Sequence, residues 1–413
     1  MQFFTRALAL AATAVPFLIQ AAPLPSSPTN DLIAGKYIIQ LKPDTDIASI
    51  AAHHNKVHDI RARNLARRES EGEVSAGVER EYDFGNFKGY AGSFDDATIE
   101  ELKALPEVLV VEQDFMMYTT QENSSTKALV TQDNAPWGLG SISSRTRGAT
   151  SYIYDASAGQ GTYSYVVDTG IRLTHVELEG RAVWGYNAVN DINTDNAGHG
   201  THVSGIIGSK TYGVAKNTTL VAVKVFEGTT GTASTVIAGF QWAVKDIVAK
   251  GRTSTAVINM SLGGQGSTTW DAAITEGWNQ GVLAVVAAGN ENTLASEKSP
   301  ARSPETLCVG NIQSNDVRYQ GNTGSNYGPA VDIWAAGTGI ISTYASSDTA
   351  TTSLTGTSMA SPHVAGLVSY LRGLEGAKDA KAIKARVLEL ATPGRVSDEM
   401  GAANLLAYNG NGR

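Results

Sequence analysis

The sequence has almost no cysteine, little charge and no long apolar run. Cys308 is the only cysteine among 413 residues, so no intramolecular disulfide can stabilise the fold. The 40 acidic residues outnumber the 32 basic ones, and the formal net charge of −8 argues against nucleic acid as a partner. Apolar residues (42%) and glycine (43 residues) are abundant, without a collagen-like repeat. This composition indicates a globular chain with many tight turns.

The N-terminal segment carries the clearest targeting signal. Arg6 is followed by a largely apolar run of 13 residues, Ala7–Ile19, which is shorter than the roughly 20 residues that cross a membrane. Small residues follow, and cleavage is expected after Ala21 or Ala22. We therefore predict a signal peptide over 1–21 and a secreted, extracellular protein without a membrane segment. The alternative is an N-terminal helix that is buried or anchors the chain in a membrane.

Length and patterning divide the remaining chain into two parts. At about 100–200 residues per domain, the chain has room for two or three domains. Residues 22–127 contain a small α+β unit over about 36–118 and end in the polar linker 121–127, and residues 128–413 form a larger unit. In the small unit we predict strands at 36–41, 90–94 and 108–115, helices at 46–57 and 96–104, and a solvated surface or loop over the charged run 61–83.

The larger unit alternates buried strands with amphipathic helices. Continuous apolar runs predict buried strands at 162–168, 219–226, 255–262 and 282–290. Residues 232–251 place Val236, Phe240 and Ile247 on one helical face, with Gly251 at the expected helix end. The pattern predicts an α/β fold with a mostly parallel sheet covered by helices on both faces. In such sheets the chemistry gathers at the carboxyl ends of the strands.

Four polar residues stand at predicted strand ends or helix starts. Asp168 and Asn290 each close a strand, and His199 and Ser358 each begin a helix. Taken singly, each also fits a structural role such as capping a turn or a helix. His199 and His202 share a helical face, but without the H-E-x-x-H pattern or a further ligand they make a weak zinc site.

Together the four residue types meet the needs of an alcohol nucleophile. Ser358 needs a base, and the imidazole of His199 needs a carboxylate such as Asp168 to hold its tautomer. The oxyanion formed by attack needs a fixed donor, which the Asn290 amide supplies. Because a neutral imidazole must accept the proton, the rate is expected to rise through an apparent pKa of about 6–7. We expect Pro362 in the first turn of the helix after Ser358, where proline is tolerated.

The local signatures around these residues are D-T-G, H-G-T-H, A-A-G-N and G-T-S-M-A-S-P. With A-P-W-G-L, N-M-S-L-G-G and L-A-Y-N-G-N, they resemble the subtilisin-like serine proteases, in particular the proteinase K-like branch of secreted fungal alkaline proteases. The similarity runs from about Ala128 to the C-terminus, and the preceding unit resembles the family's inhibitory propeptide. The resemblance implies an endopeptidase made as an inhibited zymogen, with broad specificity and a preference for bulky apolar residues before the cut bond. It also implies a monomer without organic cofactor, whose partners are protein substrates and its own propeptide.

Carried over to this sequence, the resemblance assigns roles to individual residues. The catalytic residues would be Asp168, His199 and Ser358, and the oxyanion donors Asn290, Ser358 and Thr357. Extended substrate would pair with Gly231, Ser261, Leu262 and Gly263, and Ala287, Ala288 and Gly289 would line the specificity pocket. A structural calcium ion would bind the carbonyls of Pro304 and Thr306 and the Asp332 carboxylate. The alternative interpretation is that Asp332 is a surface aspartate without a bound ion.

Several positions qualify the resemblance. Val203 stands where relatives often carry a cysteine, so Cys308 is expected to be an inert, buried thiol. The mature start near Ala128 would follow Lys127, which implies either a pocket that accepts lysine or trimming by another protease. The sequons at Asn123 and Asn217 are candidate glycosylation sites, whereas the sequon at Asn259 lies in a predicted core strand.

Two rival functions fit the sequence less well. An α/β-hydrolase esterase needs G-x-S-x-G, but G-T-S-M-A lacks the last glycine and His363 is the only histidine after Ser358. A secreted, non-catalytic binding protein on the same fold is the remaining alternative. Covalent labelling of Ser358 by a sulfonyl fluoride would separate an enzyme from such a binder.

Overall fold

The computed structural model describes residues 32–67, 76–84, 87–115, 129–321 and 323–412. The chain divides into two compact units, Met1–Asn123 and Ser124–Arg413. The predicted signal peptide, the Asn123 sequon and the junction at Lys127 lie outside the described residues.

The smaller unit has the element order βαββαβ. Its strands are β1 (Leu32–Leu41), β2 (Gly77–Phe84), β3 (Phe87–Ser93) and β4 (Val108–Phe115), and its helices are α1 (Ile47–Ala66) and α2 (Asp96–Lys103). The strands form an antiparallel sheet in the order β2-β3-β1-β4. The side chains of Asp46 and Asp95 cap the two helices, because each accepts a hydrogen bond from a backbone N–H in the first turn. The predicted α+β unit is therefore present.

The charged run 61–83 is not the loop that the sequence predicts. Helix α1 continues to Ala66, and strand β2 begins at Gly77. The helix continues because Ile60 and Asn64 extend its buried face by about two further turns beyond residue 57. Strand β2 lies at the edge of the sheet, where charged side chains are tolerated and discourage pairing with other chains.

The larger unit is built on a nine-stranded sheet. Its strands, with those of the small hairpins, are β5 (Leu129–Gln132), β6 (Tyr152–Asp155), β7 (Tyr163–Asp168), β8 (Ala182–Asn187), β9 (Thr219–Lys224), β10 (Ala256–Met260), β11 (Gly264–Gln265), β12 (Ala284–Ala287), β13 (Lys298–Ser299), β14 (Leu307–Ile312), β15 (Ile333–Ala336), β16 (Ile340–Thr343), β17 (Thr351–Leu354), β18 (Thr392–Pro393) and β19 (Leu405–Leu406). The sheet order is β18-β19-β15-β14-β12-β10-β7-β9-β8. Every neighbouring pair in it is parallel except β18 with β19.

Helices cover both faces of this sheet, as predicted. They are α3 (Trp137–Ile142), α4 (His199–Gly208), α5 (Ala233–Ala249), α6 (Thr268–Asn279), α7 (Thr357–Glu375) and α8 (Ala380–Leu390). One buried apolar cluster joins the sheet to α3, α4, α7 and α8, and a second joins it to α5 and α6. The predicted helix over 232–251 is α5, and Gly251 follows its end with a φ of 63°.

The strand order places Asp168 at a switch point of the sheet. From the central strand β7 the chain moves to the edge strand β8, returns to β9 beside β7, and then continues on the other side of β7 with β10. Polar groups at the carboxyl ends of the strands around such a reversal face a common crevice. None of the helices in the described ranges is long and apolar enough to span a membrane.

Candidate active site

The carboxylate of Asp168 and the imidazole of His199 form a close pair. Asp168 is the last residue of β7 and is completely buried, and His199 is the first residue of α4. The Nδ1 atom of His199 lies 2.8 Å from Oδ1 and 3.0 Å from Oδ2 of Asp168. Gly200 allows this approach, since a Cβ there would lie 2.1 Å from the Gly170 carbonyl oxygen. The sequence prediction that these two residues meet is correct.

Burial and charge act on His199 in opposite directions. Partial burial by itself would lower the pKa of the imidazole, because it penalises the charged form. The charge and the hydrogen bond of Asp168, together with the charge of Asp195, outweigh that effect and raise the pKa of His199 above its ordinary value of 6.5. The imidazolium is therefore stabilised next to a carboxylate that hydrogen-bonds Nδ1.

Asp195 is a functional residue that the sequence reasoning missed. Its buried carboxylate accepts hydrogen bonds from the backbone N–H groups of Gly198 (2.7 Å) and Thr201 (2.8 Å) and from the hydroxyl of Thr169 (2.8 Å). These contacts cap the start of α4 and tie it to the end of β7, so they hold His199 against Asp168. An aspartate four residues before a predicted helix start was the signal that could have identified it.

His202 does not form a metal site with His199. It is fully buried, and its Nε2 lies 3.1 Å from the backbone carbonyl oxygens of Ile340 and Thr352, so this nitrogen must donate a hydrogen. Burial lowers the pKa of His202 to about 4. Among the described residues, no group of three or more His, Cys, Asp or Glu side chains is placed to hold a metal ion.

Ser358 lies in the first turn of α7, close to the end of β10. Its Oγ donates to the backbone carbonyl of Ser261 at 3.2 Å, and in the described structure no hydrogen bond joins it to His199. The Ser261 hydroxyl in turn donates to the backbone carbonyl of Ser358 at 2.8 Å. Helices α4 and α7 pack against each other, which brings His199 and Ser358 to the same edge of the sheet.

The expected position of Pro362 in the first helical turn is wrong. Helix α7 begins at Thr357, so Pro362 is the sixth helical residue. A proline there removes the hydrogen bond that the carbonyl of Ser358 would otherwise accept. The hydroxyl of Ser261 supplies a donor to this carbonyl instead, and the helix tolerates the proline.

The amide of Asn290 is oriented by Thr357. Its Oδ1 accepts from the backbone N–H of Thr357 at 2.8 Å and from the Thr357 hydroxyl at 3.0 Å. With the carbonyl oxygen so engaged, the Nδ2 group is left as the donor, next to the start of α7. Both hydrogen-bond donors of Thr357 point at Asn290, so Thr357 orients the amide and has no donor left for an oxyanion.

The other predicted substrate-binding residues border the same edge. Ser261, Leu262 and Gly263 follow β10, with Leu262 half-buried and Gly263 exposed, and Gly231 is exposed ahead of α5. Ala287 and Ala288 are buried at the end of β12. Gly289 has a φ of 102°, and a Cβ there would lie 2.3 Å from Nδ2 of Asn326. Asn326 holds this turn by donating to the Ala288 carbonyl, and it too was missed because it is distant in sequence.

Two protein families match separate parts of the chain. Residues 159–412 match the Subtilase family, and residues 36–120 match the Peptidase inhibitor I9 family. The chain belongs to the subtilase family. It is 49% identical to "Alkaline protease 1" of Aspergillus clavatus over 99% of this chain and 100% of that protein. It is 48% identical to "Alkaline proteinase" of Hapsidospora chrysogena over 98% of this chain and 99% of that protein. The crystal structure of a cold adapted subtilisin-like serine proteinase matches with a TM-score of 0.63 and 37% identity, over 67% of this chain and 99% of that one.

Family membership establishes the class of enzyme. As a subtilase with an inhibitor I9 unit ahead of it, the protein is a serine endopeptidase zymogen with a subtilisin-like fold. Its substrates are proteins, and the chain carries its own inhibitor-type propeptide.

In this subtilase the residues expected to hold calcium surround a lysine. The carbonyl oxygen of Pro304 lies 2.9 Å from Nζ of Lys384, the carbonyl of Thr306 accepts a further hydrogen bond from it, and Asp332 Oδ2 lies 3.5 Å away. The three oxygen atoms that the resemblance assigns to calcium therefore lie around one point, which Nζ of Lys384 occupies. A divalent cation does not fit among them while the ammonium is there.

The remaining predicted positions are an asparagine and a cysteine. Asn217 is exposed, and its Nδ2 donates to the carbonyls of Ala156 and Ser157. A glycan on Nδ2 would replace one of its two hydrogens, so only one of these two hydrogen bonds could remain. Asn259 is fully buried, in agreement with the sequence prediction. Cys308 is fully buried as expected, and burial raises the pKa of its thiol, which keeps it in the unreactive protonated form.

Proposed function

We propose that the protein is a secreted endopeptidase that cleaves peptide bonds through an Asp168–His199–Ser358 triad, with broad specificity and a preference for bulky apolar side chains before the cut. The observation that carries this proposal is the 2.8 Å contact between Asp168 and Nδ1 of His199 beside the start of α7, where Ser358 lies. The signal peptide predicted over 1–21 and the resemblance to secreted proteases support secretion.

The Asp168–His199 pair prepares the imidazole to act as a base. When Nδ1 donates its hydrogen to the carboxylate, the neutral ring keeps a lone pair on Nε2. A rotation about the Cα–Cβ bond of Ser358 takes its hydroxyl from the Ser261 carbonyl towards that nitrogen. The serine proton then passes to Nε2 as Oγ bonds to the substrate carbonyl carbon.

The second half of the reaction returns the proton. The imidazolium gives its Nε2 proton to the leaving amine, and the C–N bond breaks to leave an acyl group on Ser358. A water molecule then attacks the ester carbonyl while His199 accepts its proton. Breakdown of this second intermediate releases the acid and restores the serine hydroxyl.

The start of α7 offers the donors for the negatively charged intermediates. We assign this role to Nδ2 of Asn290 and to the backbone N–H of Ser358, which lies in the first helical turn and has no carbonyl of the helix to bind. Thr357 is assigned to hold the Asn290 amide, because both of its own donors are used in doing so. The preorganised donors stabilise the oxyanion without reorganising during the reaction.

Substrate recognition is assigned to the backbone around the site. Gly231 and Gly263 are exposed and Leu262 is half-buried, so the backbone at Gly231 and along Ser261–Gly263 suits an extended peptide that adds a strand. As the resemblance implies, we assign one wall of the specificity pocket to Ala287, Ala288 and Gly289, whose small size suits a bulky apolar side chain of the substrate. Digestion of an unbiased peptide pool tests this assignment. Cuts mostly after bulky apolar residues support it, and cuts mostly after acidic or basic residues overturn it.

The charge state of His199 predicts the pH dependence. Since the neutral imidazole must accept the proton and its pKa is raised above 6.5, kcat/KM should rise through an apparent pKa above 6.5 and stay high at alkaline pH. The measurement is kcat/KM for one peptide over a pH series. An optimum at about pH 4, where His199 is an imidazolium, would contradict the role of His199 as base.

Replacing Asp195 by asparagine should affect both the rate and its pH dependence. Loss of the carboxylate loosens the start of α4, and we expect kcat/KM to fall about 10-fold. Because the charge of Asp195 raises the pKa of His199, the acid limb of the profile should move to lower pH. The matched control is Asp191→Asn, an exposed carboxylate in the same loop. If the acid limb stays in place, Asp195 does not act through His199.

A further inference from the structure

A lysine side chain lies at the centre of the three oxygen atoms that the family resemblance assigns to calcium. Lys384 lies in α8, whose start is capped by Asp379 through the backbone N–H of Ala382. Its Nζ donates to the carbonyls of Pro304 and Thr306 and lies near the Asp332 carboxylate. Only 16% of the Lys384 side chain is exposed.

The three oxygen atoms match the donors of one ammonium group. A lysine ammonium has three N–H donors and no acceptor, and each donor here faces one oxygen. The second contact of Asp332 Oδ2 is the backbone N–H of Cys308 at 2.9 Å, so this carboxylate is held on two sides. Calcium, by contrast, takes 6–8 oxygen ligands at about 2.3–2.6 Å. Lys384 therefore satisfies all three oxygen atoms, whereas a calcium ion bound to them would need water to complete its ligands.

The lysine joins three parts of the chain that are distant in sequence. Pro304 and Thr306 belong to the segment before β14, Asp332 precedes β15, and Lys384 comes from the helix α8. A bound ion would join the first two segments only. The lysine also ties α8 to them, and unlike an ion it cannot dissociate.

We propose that Lys384 is a built-in cation that takes the place of calcium at Pro304, Thr306 and Asp332. This corner of the protein then keeps its stability when calcium is removed. The resemblance alone leads to the opposite expectation, namely an ion bound by these same residues.

The test compares unfolding temperatures in chelator and in calcium. All chains carry Ser358→Ala to prevent self-digestion, and this background is the parent. The variants are Lys384→Met, which keeps the length of the side chain without its charge, Asp332→Asn, the double variant, and Lys381→Met. Lys381 is an exposed lysine on the same helix and serves as the matched control.

The expected results are specific to each variant. In chelator, Lys384→Met should unfold roughly 4–8 °C below the parent, whereas Lys381→Met should not. Calcium should raise the unfolding temperature of Lys384→Met by more than that of the double variant, since the freed oxygen atoms then bind the ion. The calcium shifts of the parent and of Asp332→Asn should be equal, so calcium bound elsewhere cancels from the comparison.

Three results would overturn the proposal. A larger calcium shift in the parent than in Asp332→Asn means that the ion displaces the lysine. An unfolding temperature for Lys384→Met equal to that of Lys381→Met means that the ammonium does not stabilise this corner. Equal calcium shifts in Lys384→Met and the double variant mean that the oxygen atoms do not form a cation site. Should Lys384→Met fail to fold, the parent and Asp332→Asn still decide whether calcium binds here.

Discussion

Replacing Ser358 by alanine is expected to lower kcat by about 10⁶-fold, the loss known for the triad serine of subtilisin, a member of the same family. The physical reason is that the proposed acyl intermediate forms on Oγ of this residue, and alanine has no atom that can form the bond. The fold should persist, because the Ser261 hydroxyl still donates to the backbone carbonyl of residue 358. Activity is measured as kcat with a peptide substrate, and folding as the thermal unfolding transition.

Covalent labelling gives a second measurement of the same role. A sulfonyl fluoride should add one group to the parent protein at Ser358 and none to Ser358→Ala, as read by mass spectrometry. The control is Ser353→Ala, which removes an exposed hydroxyl in β17 and should leave both rate and labelling unchanged. A Ser358→Ala protein that keeps more than a tenth of the parent kcat would remove Ser358 from the mechanism.

Asp168→Asn is the second change with a large expected effect. An asparagine amide at this position can donate its Nδ2 hydrogen to Nδ1 of His199, which then has to accept and carries its own hydrogen on Nε2 instead. The ring in that tautomer cannot take the serine proton. We expect kcat to fall by about 10⁴-fold with little change in KM, as for a triad held in the wrong tautomer.

The control for Asp168→Asn is another strand-end carboxylate. Asp155 ends β6, is buried, and accepts a hydrogen bond from the backbone N–H of Ser157. Asp155→Asn should alter stability without a comparable loss of kcat. If the two variants lower kcat equally, the effect of Asp168 is structural and its proposed action on the imidazole is wrong.

The buried strands of the larger unit and strand β4 of the smaller unit were the most predictable part of the fold. Strand β4 coincides with the predicted 108–115, and the buried strands β7, β9, β10 and β12 lie within their predicted runs. The four strands of the larger unit were predictable because a strand buried on both faces requires an unbroken apolar run. Strand β4 lies at a sheet edge and exposes Leu109 and Val110, and its valines give it a high strand propensity. The end of α1 was missed because the helix continues into a charged run, where only Ile60 and Asn64 are buried and mark its inner face.

The functional positions divide in a similar way. The predicted Asp168–His199 pair was legible because each residue stands at an end of an element that local pattern reveals. The role of Thr357 was not, because a hydroxyl at a helix start has the same pattern whether it faces an oxyanion or the Asn290 amide. The position of Pro362 within the helix was predicted wrongly. The proline is tolerated in the sixth helical position because the Ser261 hydroxyl donates to the Ser358 carbonyl, and Ser261 is 97 residues from Ser358.

The sequence by itself determined the family, the two-part organisation, the parallel sheet and the residue types at its carboxyl edge, because each of these is written in local pattern and in short motifs. Only the tertiary structure decided that Asp195 caps the helix of His199 and that Lys384 occupies the cluster expected to hold calcium. Lys384 is 78 and 52 residues away from Thr306 and Asp332. Contacts over such separations depend on how helices pack on the sheet, and no local pattern records that packing.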